Sequence, residues 1–315
     1  MNDITAQFVD DRQLRRLKRR FGGHVADWLS ELPAVVDKLA AEWRLTVDGP
    51  ATHGRTSVVL YTTLADGRKG VLKLTPDSGL AVSEAAMLRM WRPTGRVPRV
   101  WAVDSGHGAI LMERIERDTT LAETGIVPPM ATIGTLISQL HGVDVPRRRL
   151  MELRPLMARV QFVFDLWSRE RNEGPAVDIV SPTAMHQGYN RARALAVGEI
   201  DLAPLHGDLH PGNVLDGGPR GLVAVDPRAC YGDGAVDAVD WAVWKAASVT
   251  EVERRVDVLS RTMGVDGQRM MEWVRAFAPC MAVAMVNRAQ GHTDQFATLM
   301  ELMEDTLING RAQAR

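Results

Sequence analysis

Apolar positions change period along the chain, and the change divides it. Val25, Trp28, Leu29, Leu32, Val35, Val36 and Leu39 recur at helical spacing. Pro33 falls inside this run, where proline loses a backbone hydrogen bond and crowds the preceding turn, so two short helices are expected. From Arg44 the period shortens. Arg44–Val47, Ser57–Thr63 and Lys69–Leu74 read as strands, with Ala65-Asp66-Gly67 as a hairpin turn. A helix over Val82–Trp91 follows, then strands Pro98–Val103 and Ala109–Met112 about the turn Ser105-Gly106-His107-Gly108. These elements make a small antiparallel sheet with one helix laid on it.

Beyond Glu116 the pattern is almost wholly helical: Pro128–His141, Met151–Arg171, Pro182–Val197, Val236–Ala247, Glu251–Met263, Gln268–Arg288 and Thr293–Asn309. Thr250, with Glu253 three residues on, has the form of a capping box. An irregular island, His206 to Asp233, interrupts the helices and carries two β-type runs, Asn213–Leu215 and Leu222–Val225. The expected organisation is a helical extension over 1–43, an α+β N-lobe over 44–116 and a helical C-lobe over 117–315. The hinge is expected near Glu113–Arg117, and clefts between domains favour ligands.

Composition narrows the function classes. A length of 315 residues suits two lobes, and 45% hydrophobic content suits a folded chain. The net charge of −1 argues against a nucleic-acid partner. The basic run Arg12–Arg20 reads as one solvated helix. Two cysteines, Cys230 and Cys280, lack metal-type spacing and fit reduced thiols. Met1–Arg20 has no apolar signal region, and the most apolar stretch, Met281–Val286, is too short to span a bilayer. A cytoplasmic monomer without a membrane partner is expected.

The chemistry concentrates in the island, which reads His206-Gly207-Asp208-Leu209-His210-Pro211-Gly212-Asn213, then Val225-Asp226-Pro227. Phosphoryl transfer needs one carboxylate to orient a hydroxyl and accept its proton, and oxygen ligands for Mg²⁺. Asp208 and Asn213 have the five-residue spacing of the protein-kinase catalytic loop. Asp226 ends an apolar strand and is placed to meet the metal from the other side.

His-Gly-Asp-Leu-His-Pro-Gly-Asn followed by Asp-Pro resembles the signature of the aminoglycoside phosphotransferase and choline-kinase superfamily. The resemblance runs from about Trp43 to the C-terminus. The longer match is to streptomycin 6-phosphotransferases and hydroxyurea-type antibiotic kinases. It rests on Gly70–Leu74, the helix Glu84–Trp91 and Leu111–Ile115. It implies a bilobal protein-kinase-like fold and a kinase using ATP and Mg²⁺ on a small-molecule hydroxyl acceptor. Asp208 is then the catalytic base, and Asn213 and Asp226 are metal ligands. Lys73 grips the α/β-phosphates, with Glu84 as its ion partner. Gly54, Thr56 and Ser57 lie in a loop that lacks Gly-x-Gly-x-x-Gly and reads either as a cover over the phosphates or as an ordinary hairpin loop, and Met112, Glu113 and Ile115 form the adenine linker. Asp237 braces the catalytic loop. His206 and His141 are read as structural, and Arg228 is either a phosphate neighbour or a surface arginine.

The acceptor is expected to be cationic, met by carboxylates of the helical lobe. Asp240 and Trp241 are candidates, as are Glu301, Glu304 and Asp305 on the last helix; Asp233 is read as a cap. Three functions stay open: an antibiotic-resistance kinase, a metabolic kinase on a choline-like, homoserine-like or sugar substrate, and a non-enzymatic nucleotide-binding relative. The complete set Lys73, Glu84, Asp208, Asn213 and Asp226 speaks against the last.

Overall fold

The computed structural model describes residues 8–51, 56–198 and 202–312. They form two compact units. The first runs to Asp118 and takes back Gly217–Val225; the second holds Thr119–Asp216 and the chain from Asp226 onward.

In the first unit, α1 (Asp11–Phe21) starts where the Asp10 carboxylate accepts the Gln13 N–H at 2.6 Å. Helix α2 (Val25–Trp43) is continuous through Pro33, against the expected break. Leu29, Leu32, Val36 and Leu39, each at most 4% exposed, lie along one buried face. Their burial, about 1.5–3 kcal/mol per side chain, outweighs the roughly 3 kcal/mol cost of one interior proline.

Five strands follow: β1 (Leu45–Pro50), β2 (Val58–Leu64), β3 (Lys69–Leu74), β4 (Val100–Asp104) and β5 (Ala109–Glu113). They pair antiparallel in the order β1-β2-β3-β5-β4. The β2–β3 hairpin closes as expected, with Gly67 at φ 84°. Strand β1 runs past its expected end at Val47 because a bulge before Gly49 absorbs the irregularity. Helix α3 (Ser78–Trp91) begins four residues earlier than its apolar period suggests, since Asp77 caps it by accepting the Leu80 N–H at 3.2 Å.

Helices α1 and α2 share one core with the sheet, packing on Val58, Leu60, Leu72, Leu74 and Ala109. Strand alternation then turns Lys73, between Leu72 and Leu74, to the opposite face. The returning segment is stitched in by Arg220, whose guanidinium donates to the carbonyls of Gly95, at 2.5 Å, and Val97 and pairs with Glu113 at 3.0 Å.

The second unit is built on α4 (Met130–His141), α5 (Leu156–Glu173), α6 (Pro182–Ala196), α7 (Val249–Met263), α8 (Gly267–Val286) and α9 (Asp294–Ala312). Helix α8 is the hub and packs on α5, α6, α7 and α9. Three expectations change here. Helix α5 starts at Leu156, not Met151, because Arg154-Pro155 pairs as a strand with Cys230-Tyr231. The expected helix Val236–Ala247 is a 3₁₀ turn, Gly234–Ala238, and one α turn, Val239–Val243. Helix α7 is capped by Ser248, which accepts the Glu251 N–H at 3.2 Å, and not by Thr250. Both serines and threonines fit the motif; burial of Val252, Val256 and Leu259 selects the phase. Among the described residues no helix is long and apolar enough to cross a membrane.

Candidate active site

Strand Leu202–Leu205 pairs antiparallel with Cys230–Asp233, and the segments His206–Asn213 and Asp226–Ala229 meet at one end of this ladder. The turn depends on Gly207. Its φ is +74°, and a Cβ there would stand 2.5 Å from the Arg228 carbonyl oxygen. The Arg228 N–H in turn donates to the His206 carbonyl at 2.8 Å.

Asp237 holds the loop from behind. Its carboxylate accepts the His206 N–H at 2.8 Å and the Gly207 N–H at 2.9 Å, and it meets His141 Nε2 at 3.0 Å. The Asp237 side chain is 2% exposed. Burial opposes its charge, but the His141 contact and these hydrogen bonds prevail and lower its pKa. His141 thus meets the loop's brace through its ring, while His206 joins it through its backbone, its side chain fully buried.

Asp208 faces Arg159, a residue the sequence reading missed. Arg159 Nη2 donates to Asp208 Oδ1 at 2.8 Å, and Arg159 Nε donates to the Gly207 carbonyl at 2.8 Å. Solvent still reaches 32% of the Asp208 side chain. Burial pushes its pKa up, yet the guanidinium charges of Arg159 and Arg228 help to outweigh that and hold the carboxyl below its ordinary range. Nothing local marks Arg159: it lies one residue before buried Val160, at the edge of the α5 apolar face, where arginines are usually solvated.

A 3₁₀ turn, Pro211–Asn213, brings Asn213 back to the loop, with His210 Nδ1 accepting the Gly212 N–H at 3.0 Å. Asn213 Nδ2 donates to the Asp208 carbonyl at 2.9 Å, which commits the amide nitrogen and frees the amide oxygen for a ligand role. Asp226 has a left-handed backbone, φ 60°, a strained conformation that aspartate tolerates and that clusters at functional sites. Arg228 pairs with Asp226 at 3.3 Å.

Among the described residues, no cluster of three or more His, Cys, Asp or Glu side chains is suited to hold a metal unaided. Asn213 and Asp226 fit a different ion, since Mg²⁺ commonly takes one or two protein oxygens and completes its shell with phosphate and water. Cys230 packs beside Gly207, and burial pushes its thiol up to about 12, so it is inert as a nucleophile.

In the first unit Lys73 Nζ donates to both Glu84 oxygens, at 2.8 and 2.6 Å, so β3 and α3 are joined by a buried ion pair. Met112 and Ile115 are buried, and the Glu113 carboxylate is taken by Arg220. The N–H groups of Glu113 and Arg114 donate to Arg99 and Lys69 carbonyls, so Ile115 is the first residue past these sheet bonds. Ser57 is buried, its carbonyl accepting from Gln13. Gly54 lies outside the described residues.

The expected acceptor residues separate. Asp240 is exposed and within electrostatic reach of the Asp208 carboxylate. Trp241 is fully buried and packs edge-on against Trp244, so it presents no surface to a ligand. Asp233 caps the 3₁₀ turn and also accepts from Arg269 Nε and Trp273 Nε1, a bracing role. Glu301 and Glu304 are exposed on α9, which packs mainly on α8; Asp305 belongs to the same helix, and its side chain lies outside what is described.

Comparison with known proteins shows the family. The sequence model of the aminoglycoside/hydroxyurea antibiotic resistance kinases matches residues 42–289. A streptomycin 6-kinase of Streptomyces glaucescens is 31% identical over 81% of this chain and 83% of its own. A hydroxyurea phosphotransferase of Kitasatospora aureofaciens is 30% identical over 83% of this chain and 75% of its own. In fold, the chain is similar to the choline kinase LicA of Streptococcus pneumoniae, with a TM-score of 0.60 at 12% identity, covering 88% of this chain and 99% of that one. The catalytic loop, its buried brace and a match across most of the chain have one reading: the protein belongs to the aminoglycoside/hydroxyurea antibiotic resistance kinase family, enzymes that use a nucleotide to phosphorylate a small-molecule hydroxyl.

Proposed function

We propose that the protein transfers the γ-phosphate of ATP to a hydroxyl of a streptomycin-like aminoglycoside and so inactivates the drug. The observation that carries the reaction is Asp208, ionised and held on a braced loop beside Asn213 and Asp226. The relatives named streptomycin 6-kinase support the substrate class.

Each residue then has a role. Ile115 offers backbone to adenine, in the linker with Met112 and Glu113. Lys73, kept in place by Glu84, takes the α/β-phosphates, and Ser57 is a candidate contact to them. Asp208 orients the acceptor hydroxyl and accepts its proton as the new O–P bond forms and the bond to ADP breaks. Asn213 and Asp226 would hold Mg²⁺, which when bound would supply positive charge to offset that on the phosphates. Asp240 meets a cationic group of the acceptor.

Coupled ADP release over a panel of streptomycin, other aminoglycosides, choline, homoserine and simple sugars tests the substrate. Turnover of streptomycin with an acceptor KM that rises with salt is expected, because screening weakens an exposed carboxylate's hold on a cation. Turnover of a neutral metabolite alone would replace the antibiotic reading with that of a metabolic kinase.

A separate titration tests the metal assignment. Asn213→Ala and Asp226→Ala should each raise the Mg²⁺ concentration needed for half-maximal rate or abolish activity. If both variants titrate as the wild type does, these residues are not ligands.

A further inference from the structure

The catalytic loop is held on two sides, and only one of the holds touches the reactive carboxylate. Asp237 accepts the N–H groups of His206 and Gly207. Arg159 binds the other polarity: Nε donates to the Gly207 carbonyl and Nη2 to Asp208 Oδ1, both at 2.8 Å. This is a two-point bridge. It differs from an ordinary surface ion pair, which gains little because both side chains move freely.

The Arg159 side chain is 16% exposed and its guanidinium lies 5.5 Å from the Phe162 ring centroid. Its helix is anchored in the core by Leu156, Val160 and Phe164. The planar fork of arginine makes the two bonds together, which a lysine ammonium on its flexible stem does not reproduce.

Given the phosphotransfer reading above, we propose that Arg159 is a positioning residue for the transfer: it fixes Asp208 by Oδ1, so that Oδ2 is the oxygen that receives the acceptor proton. The Asp208 carboxylate otherwise turns about a soft torsion between two equivalent oxygens. Reaction rates are steep in the placement of reacting atoms. The bridge to Gly207 ties that torsion to the backbone, so the loop and its carboxylate move as one piece. Arg159 itself touches neither the phosphate nor the acceptor in this role.

The test compares R159A and R159K with wild type, reading kcat, both KM values, thermal unfolding and ADP binding. R159A should lose roughly 10²-fold in kcat, while the KM for ATP, ADP binding and the melting temperature hold. Guanidinium ion, added well below denaturing concentrations, should restore part of the R159A rate and leave wild type unchanged. A kcat that is unaltered in R159A, or that falls and stays down with guanidinium present, overturns the proposal. Should R159A fail to fold, R159K decides: a lower kcat at unchanged KM supports the positioning role, and a wild-type kcat refutes it. A D208N control separates the two levels of inference. If D208N turns over normally, the assignment of the base is at fault; if D208N is inactive and R159A normal, only the role of Arg159 falls.

Discussion

Asp208→Asn is expected to lower kcat by about 10²–10⁴-fold, the usual worth of a positioned general base. The folded protein and its affinity for ADP should survive. The amide keeps an oxygen that can accept from Arg159 Nη2, so the 2.8 Å contact and the loop need not move. What the amide puts at the other position is an N–H donor. It can neither take the hydroxyl proton nor accept a hydrogen bond from it. Because the Arg159 and Arg228 charges help to overcome the effect of burial and hold the wild-type carboxyl below its ordinary range, the base is ionised throughout neutral pH. The deficit should therefore be the same at every pH above the ordinary aspartate range. Single-turnover assays with matched ADP-binding measurements check this. A variant that keeps near-normal kcat removes Asp208 as the base.

Asp237→Ala should produce the second large effect, on both stability and turnover. The side chain accepts two loop N–H groups and one histidine contact while almost wholly buried. Removing it strands those donors and His141 in the interior, at a cost of about 3–5 kcal/mol. For a unit of this size that is a fall in melting temperature of roughly 10 °C. Turnover should collapse with it, since the loop that carries Asp208 loses its brace. The pH dependence has a definite sign. The folded-state pKa of Asp237 is lowered, so its contribution to stability is complete above the unfolded value of about 3.9 and is lost as pH falls through the folded value. Asp237→Asn should flatten the melting temperature across that acid window relative to wild type. Equal melting temperatures for Asp237→Ala and wild type at neutral pH would show that the brace contributes nothing.

The fold and the site were legible to different depths. The sheet was readable because side-chain alternation is a local property, and five strands with a hairpin at Gly67 appear where the period shortens. The loop His206–Asn213 was readable because its glycines, proline and oxygen-bearing side chains have few other uses at that spacing. Helix ends were less so. Pro33 and Thr250 each carry a sound local rule, and in both cases burial of a neighbouring apolar face prevails. Trp241 and Asp240 are adjacent in sequence, yet one is fully buried and the other open to solvent, a difference set by which face of a single short turn meets the core.

By itself, then, the sequence determined the order of sheet and helices, the residues able to run phosphoryl transfer and the family to which they belong. Tertiary structure alone decided that Arg159 holds Asp208, and through which atoms the brace expected of Asp237 acts. Arg159 reaches Asp208 across 49 positions, and Asp237 reaches the backbone of Gly207 across 30. Gly217–Val225 leaves the second unit to finish the first through Arg220. The physical reason is the range of the forces involved. Turn geometry and alternation are imposed by neighbours along the chain, whereas a buried charge is stabilised by whichever donors packing brings within hydrogen-bonding distance, and chain position places no limit on which those are.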